Sequence, residues 1–510
     1  MKDFNKESIK EAIIFELDKF KELISFSGQC DYETSIVDIL TEVFSQPPFE
    51  TLNQRYQLGL LNRVNVKWEN VRHTRFDHSV GVATKCLVVC SILNKKTDNY
   101  KIEFDDILEL CIAASLHDIA HLPYSHAFER GVLSHVEYNA GVSHEDRVAP
   151  LLVEENQYFE KIRDITLTNS KREDKNHSIL RIVCLISEEM GKKHTKGISN
   201  FEWPSKALHQ LLSSELDLDR LDYIIRDTEA VNYTPVTKIH REITAYLNEL
   251  SLKEIKLINQ SHTFGKYELC LPDSSLHSAF NLLVSRVLLY KNIYFSREVR
   301  AFEANLTDLI DKLITNRIPL DLLELSTMGD DEFRDNKLPF YKDKIRNNPD
   351  KLSIVSYIDA IQKTQTNKFS FVFSIQEDIF KHPRLKEEFC NNINSRDYIH
   401  NLKKAIVTFL NNSQDTNGIK YAESEFLFDI FNLKTGGGDF LVIEEKVKEN
   451  NGKEERTILY KTLKDYMNGS NMARLCKESR VDIYLNSHYH GSGNVEKIKS
   501  RIKLFFDQFK

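Results

Sequence analysis

No Cys-x-x-Cys pair occurs among the eight cysteines of this 510-residue chain, which stand at positions 30, 86, 90, 111, 184, 270, 390 and 476. That absence removes the commonest spacing of structural zinc and thiol redox motifs. Several of the cysteines lie inside apolar runs, as reduced core thiols do. No stretch reaches the roughly 18 consecutive apolar residues of a membrane helix. The N-terminus has no apolar signal region either, so a cytoplasmic protein without membrane contact is expected. Charge of one sign is not in excess: 69 Lys and Arg against 76 Asp and Glu leave a net charge of −7. Such a surface is no general nucleic-acid coat, although a local basic pocket is compatible with it. Internal repeats and long low-complexity tracts are missing. Gly436-Gly437-Gly438 is followed by no Lys-Ser/Thr pair, which excludes a P-loop there.

What is present is ordinary globular chemistry, 41% hydrophobic and 28% charged, in a chain long enough for two domains. Residues 1–48 read as an N-terminal helical extension. It opens with an amphipathic helix (Ile9, Ile13, Ile14, Leu17, Phe20, Leu23, Ile24), and Pro47-Pro48 then breaks the chain. Helical periodicity dominates to about residue 318, interrupted by a short hairpin within 253–271. The polar stretch 320–350, with Asp330, Asp331, Asn347, Asn348 and Pro349, reads as a long surface connection. Beyond it, strand-like runs at 369–373, 440–443, 457–460 and 481–485 alternate with helical patterns at about 384–411, 468–478 and 493–509. The expected fold is mostly α, a helical domain over 49–330 followed by a smaller C-terminal α+β domain over 331–510.

The densest chemistry lies in Leu116-His117-Asp118-Ile119-Ala120-His121-Leu122-Pro123-Tyr124-Ser125-His126. Ile107, Leu108, Leu110, Ile112 and Leu116 predict a buried helix with His117 and Asp118 in its last turn, stopped by Pro123. Helix neighbours do not face each other, yet both can reach one ion lying between their directions. Imidazole with carboxylate suits Fe, Mn, Ni or Zn; a capped core helix explains the same pair. Upstream, Arg75-Phe76-Asp77-His78 opens another helix of small and apolar residues, which turns His78 to the same interior. Downstream, Asp219, Tyr223 and Asp227 recur at i, i+4 and i+8, one helical stripe beside the apolar stripe of Leu218, Leu221 and Ile225. The tyrosine within it speaks against a fully solvated acidic face.

Taken together, His78, His117-Asp118 and Asp219 stand in the order H…HD…D. Over about residues 45–330 the chain resembles the HD-domain dNTP triphosphohydrolases, both bacterial forms and the SAM-and-HD-domain type. The matching words are Gln57-Leu58-Gly59, Arg75-Phe76-Asp77-His78-Ser79, the run from Leu116 to His126, Ser143-His144-Glu145, and the run from Leu218 to Asp227, with Arg286 and Tyr294 beyond. The resemblance implies a helical HD core and a divalent metal (Mg, Mn, Fe, Ni or Zn) held by His78, His117, Asp118 and Asp219. It also implies attack at the α-phosphorus, releasing a deoxynucleoside and an intact triphosphate. His126 matches the acid that protonates the 5′ oxygen, with Glu129 orienting it and raising its pKa. Arg75, His121, His144 and Arg220 match phosphate-holding residues. Gln57, Leu58, Tyr223, Asp227, Arg286 and Tyr294 complete the substrate set, with Gln57, Asp227 and Tyr294 reading the sugar. A homo-oligomer (dimer, tetramer or hexamer) and an effector nucleotide are the further partners it implies.

The chain departs from the family before Gln57, where Thr51, Asn53 and Tyr56 replace basic residues and only Arg55 remains. That weakens the case for guanine-nucleotide activation. Position 220 is Arg where Lys is common, which keeps charge and changes geometry. The first 48 residues are too few for a SAM domain. Two rival readings share the HD site: a nuclease acting on single-stranded nucleic acid, and a nucleotide sensor without turnover. The full ligand set and His126 count against the sensor, and the net acidity counts against the nuclease. Asp439, Glu444 and Lys446 are read as a turn entering a surface strand, and His488 and His490 as a polar loop.

Overall fold

The computed structural model describes residues 4–23, 31–59, 61–64, 66–96, 101–133, 135, 143–154, 156–233, 239–254, 267–346, 352–363, 369–376, 383–392, 396–412, 420–423, 426–434, 441–450, 453–462, 477–486 and 494–508. At its centre runs the helix Arg75–Lys96, buried on almost every side by Val80, Val82, Ala83, Leu87, Val88, Val89 and Leu93. It is long and apolar enough to cross a membrane by length and composition, yet it is enclosed by the protein's own helices. An apolar surface on every face belongs to the middle of a packed body. Phe104–Leu116 lies along it, contributing Ile107, Leu108, Leu110, Cys111 and Ile112 to the same core. Leu218–Ala230, started by Asp217 accepting from the Arg220 N–H, packs on the other side through Leu221, Ile224 and Ile225.

The N-terminal helix Lys6–Asp18 is capped by Asn5 and also packs on Arg75–Lys96. Ile9, Ile13 and Leu17 are buried, with Phe20 just beyond; Ile14, expected on the inner face, points outward at 44% exposure. Glu16 takes an inner position instead. The hairpin is present as β1 (Ser251–Glu254) antiparallel to β2 (Tyr267–Pro272), with Leu252 opposite Leu269.

The stretch read as a surface connection is helical. Leu322–Ser326, Asp330–Glu332, a π turn at Phe333–Lys337 and Leu338–Arg346 follow one another, burying Leu325, Phe333, Leu338, Tyr341 and Ile345. The polar residues that suggested a loop serve the backbone. Asp321 caps the first helix, and buried Asp330 accepts from the Tyr56 and Tyr124 N–H groups. Arg55, 1% exposed, donates to the carbonyls of Ser326, Met328 and His121. The guanidinium that sequence alone left open to an effector nucleotide is spent on closing this segment onto the body.

Further along come β3 (Phe369–Gln376), β4 (Phe426–Lys434), β5 (Leu441–Asn450), β6 (Lys453–Thr462) and β7 (Lys477–Asn486). One sheet runs β3-β7-β4, all antiparallel; the other runs β1-β2-β5-β6, with β5 parallel to β2. Strand β4 was not foreseen. The long helix at 384–411 is two, Pro383–Asn392 and Arg396–Asn412, and the last helix is Asn494–Asp507. Residues 477–478, expected at the end of a helix, belong to β7; 463–476, Asp439, His488 and His490 lie outside the described residues. The C-terminal unit meets the body through the buried pair Arg300–Asp429, whose guanidinium donates at 2.7 and 2.5 Å. Cys86, Cys90, Cys111, Cys184 and Cys270 are all buried, and none of these five is in a disulfide.

Candidate active site

His78 sits in the first turn of the central helix, fully buried. Its Nδ1 is 2.7 Å from Asp222 Oδ2, which fixes the ring and leaves Nε2 for another partner. The helix Phe104–Leu116 ends just before His117 rather than carrying His117 and Asp118 in its last turn, so both stand in the turn that leaves it. His117 Nδ1 is 2.7 Å from the Ala114 carbonyl. A carbonyl only accepts, so Nδ1 carries a proton, and Nε2 is the nitrogen that could bind an ion once the ring is neutral. Both Nε2 atoms are buried without a hydrogen-bond partner among the described residues. Each approaches Asp219 Oδ1, at 2.9 Å from His78 and 3.6 Å from His117.

His78, His117 and Asp219 could therefore hold a metal ion, their ligand atoms all lying within 4.8 Å of one another. Two imidazole nitrogens and a carboxylate aimed at one point fit a divalent transition metal, whose binding would hold both rings neutral. Asp118 stands beside them. Its Oδ2 accepts from Arg75 at 2.5 Å and lies 3.9 Å from His78 Nε2, while Oδ1 is 3.5 Å from His117 Nε2. Burial would raise the Asp118 pKa, but Arg75 and His117 hold it well below the usual range. Burial alone would depress His78 and His117; their carboxylate neighbours outweigh it and raise them to about 9 and about 10.

A second cluster adjoins the first. His121 and His144 stack with ring centres 3.7 Å apart, and His126 meets both edge-on. Glu129 lies at their hub: Oε1 is 2.8 Å from His121 Nδ1 and accepts from Arg147 at 2.7 Å, while Oε2 is 3.4 Å from His126 Nδ1. The carboxylate expected to serve His126 thus makes its shorter contacts with His121 and Arg147. Burial opposes ionisation of Glu129, and the histidines overcome it, keeping its pKa far below normal. His121 and His144 are both lowered, first by burial and then by the cations around them. The His126 ring is 64% exposed and opens the cleft to solvent.

The turn that presents His126 is strained. Tyr124 and Ser125 both have left-handed backbones, φ 58° and 49°. Asp330 holds the first through its N–H, and Arg75 donates to the Ser125 hydroxyl at 2.7 Å.

His117, Asp118 and Asp219 of the first cluster and His126 and His144 of the second line one cleft of 380 Å³, with His78, His121 and Glu129 set behind them; Gln57, Leu58, Arg220, Tyr223, Asp227, Arg286 and Tyr294 line it too. Asp227 takes the Tyr294 hydroxyl at 2.5 Å on one oxygen and His73 Nε2 at 2.6 Å on the other. Arg220 donates to Asp217, and Arg286 to Glu215. Gln57 Oε1, Tyr223 OH and Arg286 Nε are buried without hydrogen-bond partners among the described residues. Arg286 and Tyr294 do not share one regular helix: Leu276–Leu289 passes into a π turn over Tyr290–Tyr294, and this local widening is frequent at working sites.

Sequence reading left several members out. Asp222 lies inside the run from Leu218 to Asp227 with no role of its own there, and His73 stands two residues ahead of the Arg75 motif. Arg130, Arg300 and Glu303 also line the cleft, yet sit in helices where nothing in their spacing marks them.

The HD domain family model matches residues 75–227. The uncharacterized protein YwfO of Bacillus subtilis is 25% identical over 280 residues, 54% of this chain and 52% of its own. The uncharacterized protein MJ1154 of Methanocaldococcus jannaschii is 23% identical over 293 residues, 57% and 49% respectively. Human deoxynucleoside triphosphate triphosphohydrolase SAMHD1 is 22% identical over 311 residues, 58% and 44%. The chain thus spans about half the length of the curated relatives it matches. The resemblance drawn from the motifs is met by both kinds of finding.

Proposed function

We propose, from the premise that residues 75–227 form an HD domain with the metal-ligand chemistry of an HD-type phosphohydrolase, that this chain hydrolyses dNTPs to deoxynucleoside and inorganic triphosphate. The observation that carries the reading is one cleft with three kinds of wall: His117, Asp118 and Asp219 with His78 behind them, His126 and His144 with Glu129 behind them, and the Asp227–Tyr294 pair. His78, His117, Asp118 and Asp219 would hold the metal. When bound, a divalent ion supplies charge neutralisation at phosphate and lowers the pKa of water. Arg75, His121, His144 and Arg220 surround the triphosphate with donors, which offsets the charge that repels a nucleophile. His126, exposed at the mouth, protonates the departing 5′ oxygen. Gln57, Leu58, Tyr223, Arg286 and Tyr294 form the nucleoside end, and Tyr294 packs on the sugar face that a 2′-hydroxyl would occupy. The likeness to a SAMHD1 relative supports the substrate class, and the chain is proposed to work as a homo-oligomer in the cytoplasm.

The test is to incubate the metal-loaded protein with each dNTP, each NTP and labelled single-stranded DNA. Equimolar deoxynucleoside and triphosphate from dNTPs is the expected result. Release of monophosphates from the single strand, or nucleotide binding without turnover, would replace this reading with one of its rivals.

A further inference from the structure

Behind His78 lies a chain of buried charges that reaches outside the HD segment. Asp222, 1% exposed, contacts the His78 ring with Oδ2. The same carboxylate takes Lys85 Nζ at 2.7 Å and a two-pronged grip from Arg226, Nε at 2.9 Å and Nη2 at 3.0 Å. Arg226 Nη2 in turn donates at 3.1 Å to Glu16, on the inner face of the N-terminal helix. Gly81 explains how these groups fit. A Cβ there would lie 2.0 Å from Asp222 Oδ1 and 2.2 Å from Arg226 Nη2, so the helix has hydrogen where the ion pair needs space. His78, Gly81 and Lys85 on one helix thus meet Asp222 and Arg226 on the other.

A histidine ligand whose second nitrogen is held by a carboxylate keeps its tautomer and its aim, and such partners typically contribute 10- to 100-fold in metal affinity. Asp222 can hold His78 only while it is itself held, since an ionised carboxylate buried this deeply is stable only with charged partners. Lys19 lies 3.0 Å from the Glu16 oxygen that Arg226 uses. That cation offsets the field of Glu16 at longer range, so its influence passes through Arg226.

We propose that the N-terminal helix is a working part of the metal centre: Glu16 locks Arg226, Arg226 locks Asp222, and Asp222 aims His78 at the ion. The proposal rests on the reading of His78, His117 and Asp219 as metal ligands, and its test uses no nucleotide. The full chain, stripped with chelator, is titrated with Mn²⁺ alone, and free Mn²⁺ is followed by electron paramagnetic resonance well below the melting temperature. Asp222→Asn should weaken Mn²⁺ binding by roughly 10- to 100-fold. Glu16→Ala should weaken it by roughly 3- to 10-fold, and should add nothing in an Arg226→Met background. A purely structural Glu16 would lower the melting temperature and leave Mn²⁺ affinity alone. That outcome, or full additivity of Glu16→Ala with Arg226→Met, overturns the proposal. Should Asp222→Asn fail to fold, the Glu16 and Arg226 cycle decides. A wild type that binds no Mn²⁺ takes down the metal-centre reading as well; tight wild-type binding with an indifferent Glu16→Ala removes the N-terminal helix alone.

Discussion

At the scale of the residue, the two histidine clusters are expected to separate by substitution. His117→Ala removes an otherwise unsatisfied ligand atom, so metal content and turnover should both vanish. His126 touches none of the three metal-facing groups, and His126→Ala should keep its metal while losing turnover by roughly 10²- to 10⁴-fold. Metal analysis beside steady-state rates distinguishes the two. Protonation offers a further check. His78 and His117 are raised from 6.5 to about 9 and about 10 in the metal-free chain. Groups raised on folding add stability that is complete below their unfolded value and is lost as pH climbs through the folded one. The apo protein should therefore melt progressively lower from about pH 7 to 10, whereas the metal-loaded protein, with both rings already neutral, should not. Matching pH profiles for the two forms would count against these histidines as ligands. Tyr294 belongs at this scale too. Tyr294→Ala should shrink the dGTP-over-GTP ratio of kcat/KM, by up to roughly 5- to 150-fold if one unpaired buried hydroxyl sets it. An unchanged ratio in a folded variant would mean the sugar is read elsewhere.

Among the elements, the turn from Leu122 to Ser125 shows best what the sequence could and could not tell. The motif of apolar helix, His117-Asp118, Pro123 and His126 is local, and local spacing is what periodicity reports. The left-handed pair Tyr124–Ser125 is held from outside, by Arg75 and by Asp330, the latter 206 residues along the chain. Asp330 sits in a run of acids, amides and prolines that looks like a loop by composition. Only the fold shows that its carboxylate is buried beneath two backbone donors. The same limit hid Asp222, whose neighbour Asp219 carried the motif. It hid β4 as well, where Phe426, Leu427 and Asp429 turn both apolar and charged residues inward. Asp330→Ala orphans the N–H groups of Tyr56 and Tyr124 at about 1–3 kcal/mol each. It should lower the melting temperature and cut turnover more than metal binding, because the released turn carries His126. Unaltered turnover in a folded Asp330→Ala protein would show that the turn keeps its shape unaided.

For the whole molecule, the helical body and the C-terminal unit share material. One apolar cluster runs from Leu122 and Phe128 through Leu306, Leu313, Phe333 and Tyr341 to Tyr357, Leu427 and Tyr484. The expected boundary at residue 330 cuts through it. A chain ending there would expose Phe128, Leu309 and Leu313 and strip Arg300 of Asp429. Such a fragment should aggregate on expression. A soluble, monodisperse fragment over 1–330 would show two independent domains.

The buried cysteines give this architecture a chemical clock. Burial pushes the thiols of Cys86, Cys90, Cys111 and Cys184 up, away from the reactive thiolate. An alkylating reagent therefore reaches them only at the pace at which the protein opens. Cys86, Cys90 and Cys111 report the pair of central helices, while Cys270 lies on β2, opposite Leu441 of β5 where body and C-terminal unit are stitched together. The order in which these sulfurs take up label would record which part of the molecule comes undone first: the seam, or the helices behind the site.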